Sequence, residues 1–465
     1  MIQLIFKYEW KNFYRNKLQV AFYIFLFFAG IYATGYGYRE IEKQRETIAL
    51  IGENEKEQFN LITEALKADT TTKEGKAAYM RSVMPGPGRV QHKYNTIFYP
   101  APFTAFSLGQ RDLFPYYHKL NSHSLYMQVF KNEMINPQKL LAGNLDLAFV
   151  FIYLLPLFII AMSYSLVSGE KESGTYPLLK TGTVSLRKLF ACRMCFRFLL
   201  TTIPVVLLTF FAAWINKAPL NSVLVAWLVV SVLYVAVWCA TVFLIISFNK
   251  VSAFNAVAML GVWLIFLIVV PAFLNAVSVN KYPINQTLIS DAIRRVQLDE
   301  SEHGQKEVFE QYYALHPEYR SYHIESPYNL AKLYAMGGEM KDLENKPMIK
   351  SYFEQIALRD RFVSSFNVVS PAMQAQQLLN YISGSDIRYY LDYNRQLAAF
   401  HREIYLFYAD PLYKNKTLSA RDYANRPRFL MKTDIVWITI YTGMLTLGGW
   451  TLILWGIAYW KMKKI

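Results

Sequence analysis

Residues 223–248 read VLVAWLVVSVLYVAVWCATVFLIISF, a run of 26 residues without a single Lys, Arg, Asp, Glu or His. About 20 residues of helix cross the roughly 30 Å hydrocarbon core of a bilayer, and a helix bonds every backbone N–H and C=O within the segment. A stretch this long and apolar is therefore read as a membrane span. Five more uncharged stretches follow the same rule: Leu18–Gly37, Leu147–Val167 (the second span, 146–167, once Asp146 is counted at its start), Phe198–Ile215, Ala253–Val279 and Ile435–Tyr459. The third, 198–215, is the shortest and carries Pro204. Over 465 residues the chain is 54% hydrophobic with mean hydropathy +0.15, too apolar for an ordinary soluble enzyme and too charged to lie wholly in lipid. The expected fold is all-α: a polytopic membrane protein with six transmembrane helices at 18–37, 146–167, 198–215, 223–248, 253–279 and 435–459.

The net charge of +15 suggests nucleic acid at first sight, but its distribution reports topology. With the N-terminus inside, the inner segments are 1–17, 168–197, the Asn249-Lys250 turn and the tail 460–465, and they hold 14 basic residues against 3 acidic ones. The long outer segments, 38–145 and 280–432, hold 14 against 11 and 20 against 18, as mixed solvated surfaces do. Short basic loops stay cytoplasmic. The sequence therefore predicts both termini in the cytoplasm, a multi-pass protein of the cell's inner (cytoplasmic) membrane in contact with lipid, and no nucleic-acid partner. The two outer segments are expected as two large extracytoplasmic domains, mainly helical with some irregular or β structure.

Residues 1–17 place Ile2, Ile5, Phe6 and Phe13 near one helical face and Lys7, Lys11 and Arg15 on the other, the pattern of an interfacial helix and not of a cleavable signal. Beyond Gly37, helical spacing continues through Ile41, Ile48, Ile51, Phe59, Ile62 and Leu66, predicting a stalk with Gly52 as a point of breakage. Met84-Pro-Gly-Pro-Gly-Arg89 reads as a turn, and Phe98–Tyr117 as irregular chain with short strands. Tyr390, Tyr393, Leu397, Phe400, Ile404 and Phe407 form one apolar helical stripe, to be buried in the core of its own domain or in a dimer seam.

Chemistry is sparse. No carboxylate, His or basic residue lies mid-span, where ion-coupled carriers keep such groups. Asp146 and Asp434 stand at span ends, as helix-boundary charges do. No G-x-x-x-x-G-K-[ST], H-E-x-x-H or G-x-S-x-G occurs, so the chain is expected to be no enzyme and to bind no nucleotide. The seven His residues (92, 118, 123, 303, 316, 323 and 401) show no ligand spacing, and Cys192-Arg-Met-Cys195 lacks the two further ligands of a zinc site. No metal or cofactor is predicted, and with Cys239 the only other cysteine, no disulfide is expected outside the membrane.

The loop between spans 2 and 3 runs SGEKESGTYPLLKTGTVSLRK from Ser168 to Lys188, with Ser185 as N-cap of the following helix. By itself it is a polar connector with two glycines and an apolar pair. Glu170-Lys-Glu172-Ser-Gly174-Thr175-x-x-Leu178-Leu179, followed by Lys188, resembles the E-x-E-x-G-T-x-x-x-L loop of type-2 ABC exporter (ABC-2) permeases. The interfacial helix with Glu9 and Arg15 before span 1 is similar too. Asn136-Pro137-x-x-Leu140-x-x-Gly143-x-x-Asp146-x-x-Phe149, Gly109-Gln-Arg-Asp112 and Ser370-Pro371 through Gly384-Ser-Asp386 look like the branch of that family with large outer insertions, known only as a domain of unknown function. The resemblance implies a permease in which this loop is a coupling helix docking on a separate ABC ATPase subunit, with a second permease, identical or not, completing the assembly. ATP would be bound by the partner. Pro177 departs from the pattern and shortens any helix there. Two rivals remain: an ATP-driven mechanical relay to an extracytoplasmic partner without transport, and an intramembrane enzyme, for which no embedded catalytic residue exists.

Overall fold

A computed structural model describes residues 2–130, 144–181, 185–284, 289, 302–322 and 329–462. The Asn136–Gly143 part of the motif above, residues 182–184 of the loop and the last three of the tail lie outside the described residues. Six helices are long and apolar enough to cross a membrane: Lys17–Ala65, Leu147–Glu172, Leu186–Ile215, Ser222–Ile246, Ser252–Lys281 and Trp437–Lys461. The chain is a mainly helical, multi-pass membrane protein. Among the described residues the one sheet is a two-stranded antiparallel ribbon, Tyr94–Ile97 against Tyr117–Leu120, with Tyr94 opposite Leu120.

The fourth span is the hub of the bundle. It buries Trp227, Tyr234, Trp238 and Phe243 and packs on the second, third and sixth spans, with Phe243 stacked on Trp455 at 4.7 Å. The fifth and sixth spans turn Phe254, Val257, Phe273, Ile438, Leu445 and Leu452 outward, the surface a bilayer would solvate. Two boundaries differ from expectation. The first helix passes Gly52 without a break to reach Ala65, because Ile41, Ile48, Ile51, Phe59 and Ile62 bury one side of it throughout and packing outweighs the roughly 1 kcal/mol a helical glycine costs. The third begins at Leu186, three turns before the apolar stretch, and holds Pro204 in its interior.

The segments expected as two domains, 38–145 and 280–432, pack together in one main core, beside which the second forms a smaller cluster of its own around Tyr312 and Tyr413. The apolar stripe of helix Ile387–Tyr413 is what joins them. Tyr393 stacks on Phe98 at 5.5 Å and donates its hydroxyl to Thr96 O at 3.0 Å. Phe400 meets Tyr94 edge-on, and the Tyr94 and Tyr408 hydroxyls lie 2.8 Å apart. The stripe therefore packs mainly against the first inserted segment. Met84–Arg89, expected as a turn, begins the short helix Pro85–Gln91; Pro at a first helical position is preorganised and gives up only an N–H that would be unbonded anyway. Arg111 fastens the lobe to the first helix: Nε donates to Gln44 Oε1 at 2.9 Å, and the guanidinium bonds the Phe98 carbonyl. Burial pushes this guanidinium down to about 9.

Not all of 280–432 stands clear of the bundle. Helix Asn329–Ser365 runs down beside the end of the fifth span, where Arg359 Nε donates to Tyr282 O at 2.8 Å. The chain turns at 366–370 and returns as helix Pro371–Ile382, packed between the fourth and sixth spans. Its depth is fixed by two bonds. Trp450, midway along the sixth span, donates Nε1–H to Val368 O at 2.7 Å, and Ser370 Oγ lies 3.4 Å from Phe266 O, midway along the fifth. Helix 371–382 can lie this close because position 443 is glycine: a Cβ there would come within 2.6 Å of Gln374 and Leu378. A re-entrant hairpin was not foreseen, since Pro371–Ile382 alternates Gln and Asn with apolar residues and so fails any test for continuous hydrophobicity.

Candidate functional site

At the opposite end of the bundle the N-terminal helix, Ile2–Arg15, lies along the start of the third span. Phe6 and Trp10 meet Phe196 edge-on at 5.6 and 6.5 Å, and Phe13 meets Tyr23 of the first span at 5.6 Å. These contacts draw the helix's one acid under cover, so that Glu9 is 6% exposed. Its Oε1 is 3.1 Å from Arg193 Nε and its Oε2 is 2.9 Å from Arg197 Nη1. Arg193 and Arg197 sit one turn apart on a single helix face. Arg193 Nη1 reaches on to Glu170 Oε1 at 2.7 Å, and Arg197 Nε donates to Met162 O at 3.0 Å. Two acids and two bases thus close a neutral network that joins the N-terminal helix, the second span and the third. Buried charges persist only when paired in this way.

Each residue of the E-x-E-x-G-T motif has a place in the loop's own architecture. Glu170 is the ion-pair partner just described. Glu172 accepts from Ser252 N–H and from Ser252 Oγ–H, both at 2.9 Å, giving the fifth span the N-terminal cap that Val251 cannot supply. Gly174 adopts φ +74°, the left-handed turn that ends helix Ser168–Glu172 and that other residues adopt at a cost. Thr175 Oγ1 donates back to Glu170 O at 3.1 Å and bonds the Glu170 carboxylate. The root of the loop is fastened further by Ser168 Oγ, 2.7 Å from Ser252 Oγ, and by Asn255 Nδ2, which donates to Tyr164 O at 3.2 Å.

Beyond Thr175 the chain forms one short helix, Tyr176–Thr181, with Pro177 in its first turn. Leu179 turns toward the bundle and packs on its core. Leu178 points away and is 72% exposed. The structure therefore separates residues that the motif groups together, with Glu170, Glu172 and Thr175 engaged within the chain and Leu178 presented outward. Arg15 and Lys188 are exposed and form no ion pair among the described residues. Ser185 occupies the N-cap of the third span without a side-chain cap bond.

Sequence reasoning counted Arg193 and Arg197 only as loop charges and overlooked Ser252. The available signal was spacing: two arginines four apart, next to an apolar run, must find an acid, and Glu9 is the only acid in residues 1–17. Asp146, read as a helix-boundary charge, caps the second span by accepting from Phe149 N–H at 2.8 Å and also accepts from Leu108 N–H at 2.8 Å. Among known families, a model described as a domain of unknown function (DUF3526) matches residues 286–431, which takes in the second inserted segment and the re-entrant helix but not the loop. No curated protein and no solved structure matches the chain.

Proposed function

We propose that the chain is the transmembrane permease subunit of an ATP-driven ABC exporter of the inner membrane. A separate ATPase subunit sits on the cytoplasmic helix Tyr176–Thr181, and a second permease completes the assembly. The observation that carries this reading is the exposed Leu178 at the tip of a loop whose root is tied to three membrane elements. Together with the motif's resemblance to ABC-2 permeases, it supplies both a docking anchor and a linkage. A displacement of the loop by ATPase closure is passed through Glu170 and Arg193 to the third span and the Glu9 helix, and through Glu172 to the fifth. Only a partner that binds the two loop positions with different affinity can drive such a shift.

Leu178→Arg tests this. An exposed side chain leaves folding within about 0.5 kcal/mol, whereas a charge in place of an apolar anchor disrupts an interface. The expected result is normal membrane insertion and an unchanged melting temperature, with loss of the copurifying ATPase and of stimulated hydrolysis. Full ATPase recovery would overturn the reading. Topology is tested separately by single cysteines in a cysteine-free background: one at Thr71 should react with an impermeant thiol reagent from outside intact cells, and one at Lys180 should not. A second reading, a mechanical relay, is favoured by the unbroken 49-residue helix Lys17–Ala65, which runs from the bundle into the lobe. A relay gives ATP hydrolysis with no solute taken up by inverted vesicles, while an exporter takes solute up.

A further inference from the structure

Two neighbouring cavities of about 330 and 440 Å3 lie where the lobe meets the bundle, on the side away from the Glu9 network, and share Gln110, Tyr153, Gln376 and Asn380 in their walls. Several stretches that the loop's function does not use converge here. Gln110 N–H donates to Ser385 O at 3.2 Å, which joins the Gly109–Asp112 stretch to Gly384–Asp386. Asn144 and Asp146 stand at the head of the second span, and Ser370-Pro371 opens the re-entrant helix.

The walls have a consistent chemistry. Four aspartates line the two cavities, Asp112, Asp146, Asp360 and Asp386, and no Lys, Arg or His does. Asp386 is neutralised by Arg388 at 2.8 Å, and Asp146 is held by the backbone N–H groups described above. Asp360 makes no hydrogen bond or ion pair among the described residues, with Arg388 and Arg361 acting on it only through space, and one oxygen of Asp112 is buried without a partner. Below the acids, the re-entrant helix offers amides from Gln376, Gln377 and Asn380. Deeper still, the wall is Ile152, Phe266, Leu267 and Pro271, side chains of the second and fifth spans.

Both spans depart from α-helical winding where they line the cavity, at Val150–Leu154 and Ile265–Val269. Such π-bulges gather at functional sites. The backbone acceptors there are answered by side chains: Tyr234 OH donates to Ile152 O at 2.9 Å, Trp263 Nε1–H to Tyr153 O at 3.1 Å, and Ser370 Oγ reaches Phe266 O. Irregular backbone at membrane depth is tolerated where it is buried in protein or lines a cavity, and polar groups at that depth mark ligand paths.

We propose that this is a binding site for an amphiphilic amine, whose ammonium group is held by Asp360, whose other polar atoms meet the amides, and whose chain lies against Ile152, Phe266 and Leu267. The volume falls within the range of about 300–1,000 Å3 typical of small-ligand sites. An anionic amphiphile would meet the carboxylate of Asp360 with no Lys, Arg or His in the cavity walls to receive it. The site belongs to this chain alone and needs no ATPase, so it stands or falls independently of the proposed coupling.

The test uses the purified full chain in nanodiscs and a long-chain primary alkylamine bearing a diazirine, with the matching carboxylic acid as control. Irradiation followed by peptide mapping should place the amine's label on the stretches holding Ile152, Phe266 and Met373. Excess dodecylamine should compete it away, and dodecanol should not. Loss of a charge-assisted contact in a desolvated site weakens binding by about tenfold or more. Asp360→Asn should lower site labelling by that factor, with Asp360→Ser as a second variant should the first fail to fold. Equal labelling by the carboxylic acid, labelling spread over the lipid-facing sides of the fifth and sixth spans, or undiminished labelling in both variants would overturn the proposal.

Discussion

Glu9→Ala is expected to destabilise the bundle by about 3–5 kcal/mol, the range found when one partner of a buried ion pair is removed. Two guanidiniums depend on this carboxylate. Without it Arg197 keeps the Met162 carbonyl as an acceptor but no counter-charge, and Arg193 keeps only Glu170. Arg15→Ala, on the same helix but exposed, should change stability by less than about 0.5 kcal/mol. The measurement is thermal unfolding in detergent, followed by the monodisperse fraction that survives heating. The network also makes a sharper statement than either single variant. Glu9 and Glu170 share Arg193, so their effects should be non-additive, and the double-mutant cycle with Glu170→Gln should return a coupling of about 0.5–3 kcal/mol. A Glu9→Ala protein as stable as its parent would mean that the N-terminal helix lies loosely on the membrane and transmits nothing.

The spans were legible because a bilayer imposes one rule that hydrophobicity alone expresses: each of the six expected stretches coincides with a spanning helix, overrunning it by no more than two residues. The first-segment stalk was legible for a related reason, since Ile41 through Ile62 repeat at helical spacing. Three features were hidden. The re-entrant helix mixes Gln and Asn with Leu and Ala because one face lines a cavity while the other packs on spans, so it carries the signal of neither a span nor a solvated helix. The union of the two inserted segments depends on pairs such as Thr96 with Tyr393 and Tyr94 with Tyr408, about 300 residues apart in sequence, and periodicity within one helix cannot name its partner across such a distance. The role of Glu172 was hidden because a carboxylate on a polar loop looks the same whether it meets another protein or caps Ser252.

Acidification from pH 6.5 toward 4 is expected to unfold the lobe while the spans hold. Burial pushes His92, His118 and His401 down to about 4, and His123 likewise to about 4 through burial and the nearby Arg89, Lys93 and His401 charges. They sit where the two inserted segments meet: His92 Nδ1 is 2.9 Å from Tyr408 OH, His118 stacks on Tyr393, and His401 Nε2 is 2.6 Å from His123 O. A histidine whose pKa is lower in the folded state than in the unfolded one lets the unfolded chain bind more protons in between, so stability is complete above about 6.5 and is lost as pH falls toward 4. Each of the three most enclosed rings removes roughly 2–3 kcal/mol across that window, and His123, more open to solvent, removes less. Three acids oppose them. Burial raises the carboxyls of Asp342 and Asp360 to about 6 and that of Glu55 above its usual range, so as pH falls the folded state binds extra protons there and returns part of the loss. The four histidines outnumber these acids, and a net loss of a few kcal/mol is a large share of the 5–15 kcal/mol that holds a typical domain. Hydrogen exchange in nanodiscs, corrected for the intrinsic pH dependence, should show residues 94–120 and 387–413 losing protection together with a midpoint inside the window, while Ser222–Ile246 stays protected. His118→Gln provides the decisive comparison. Its Nε2 has no hydrogen-bond partner, so an uncharged amide of similar size forfeits little at neutral pH and should move the midpoint toward lower pH. An unmoved midpoint would show that protonation of His118 does not drive the loss and would overturn this account of the acid sensitivity.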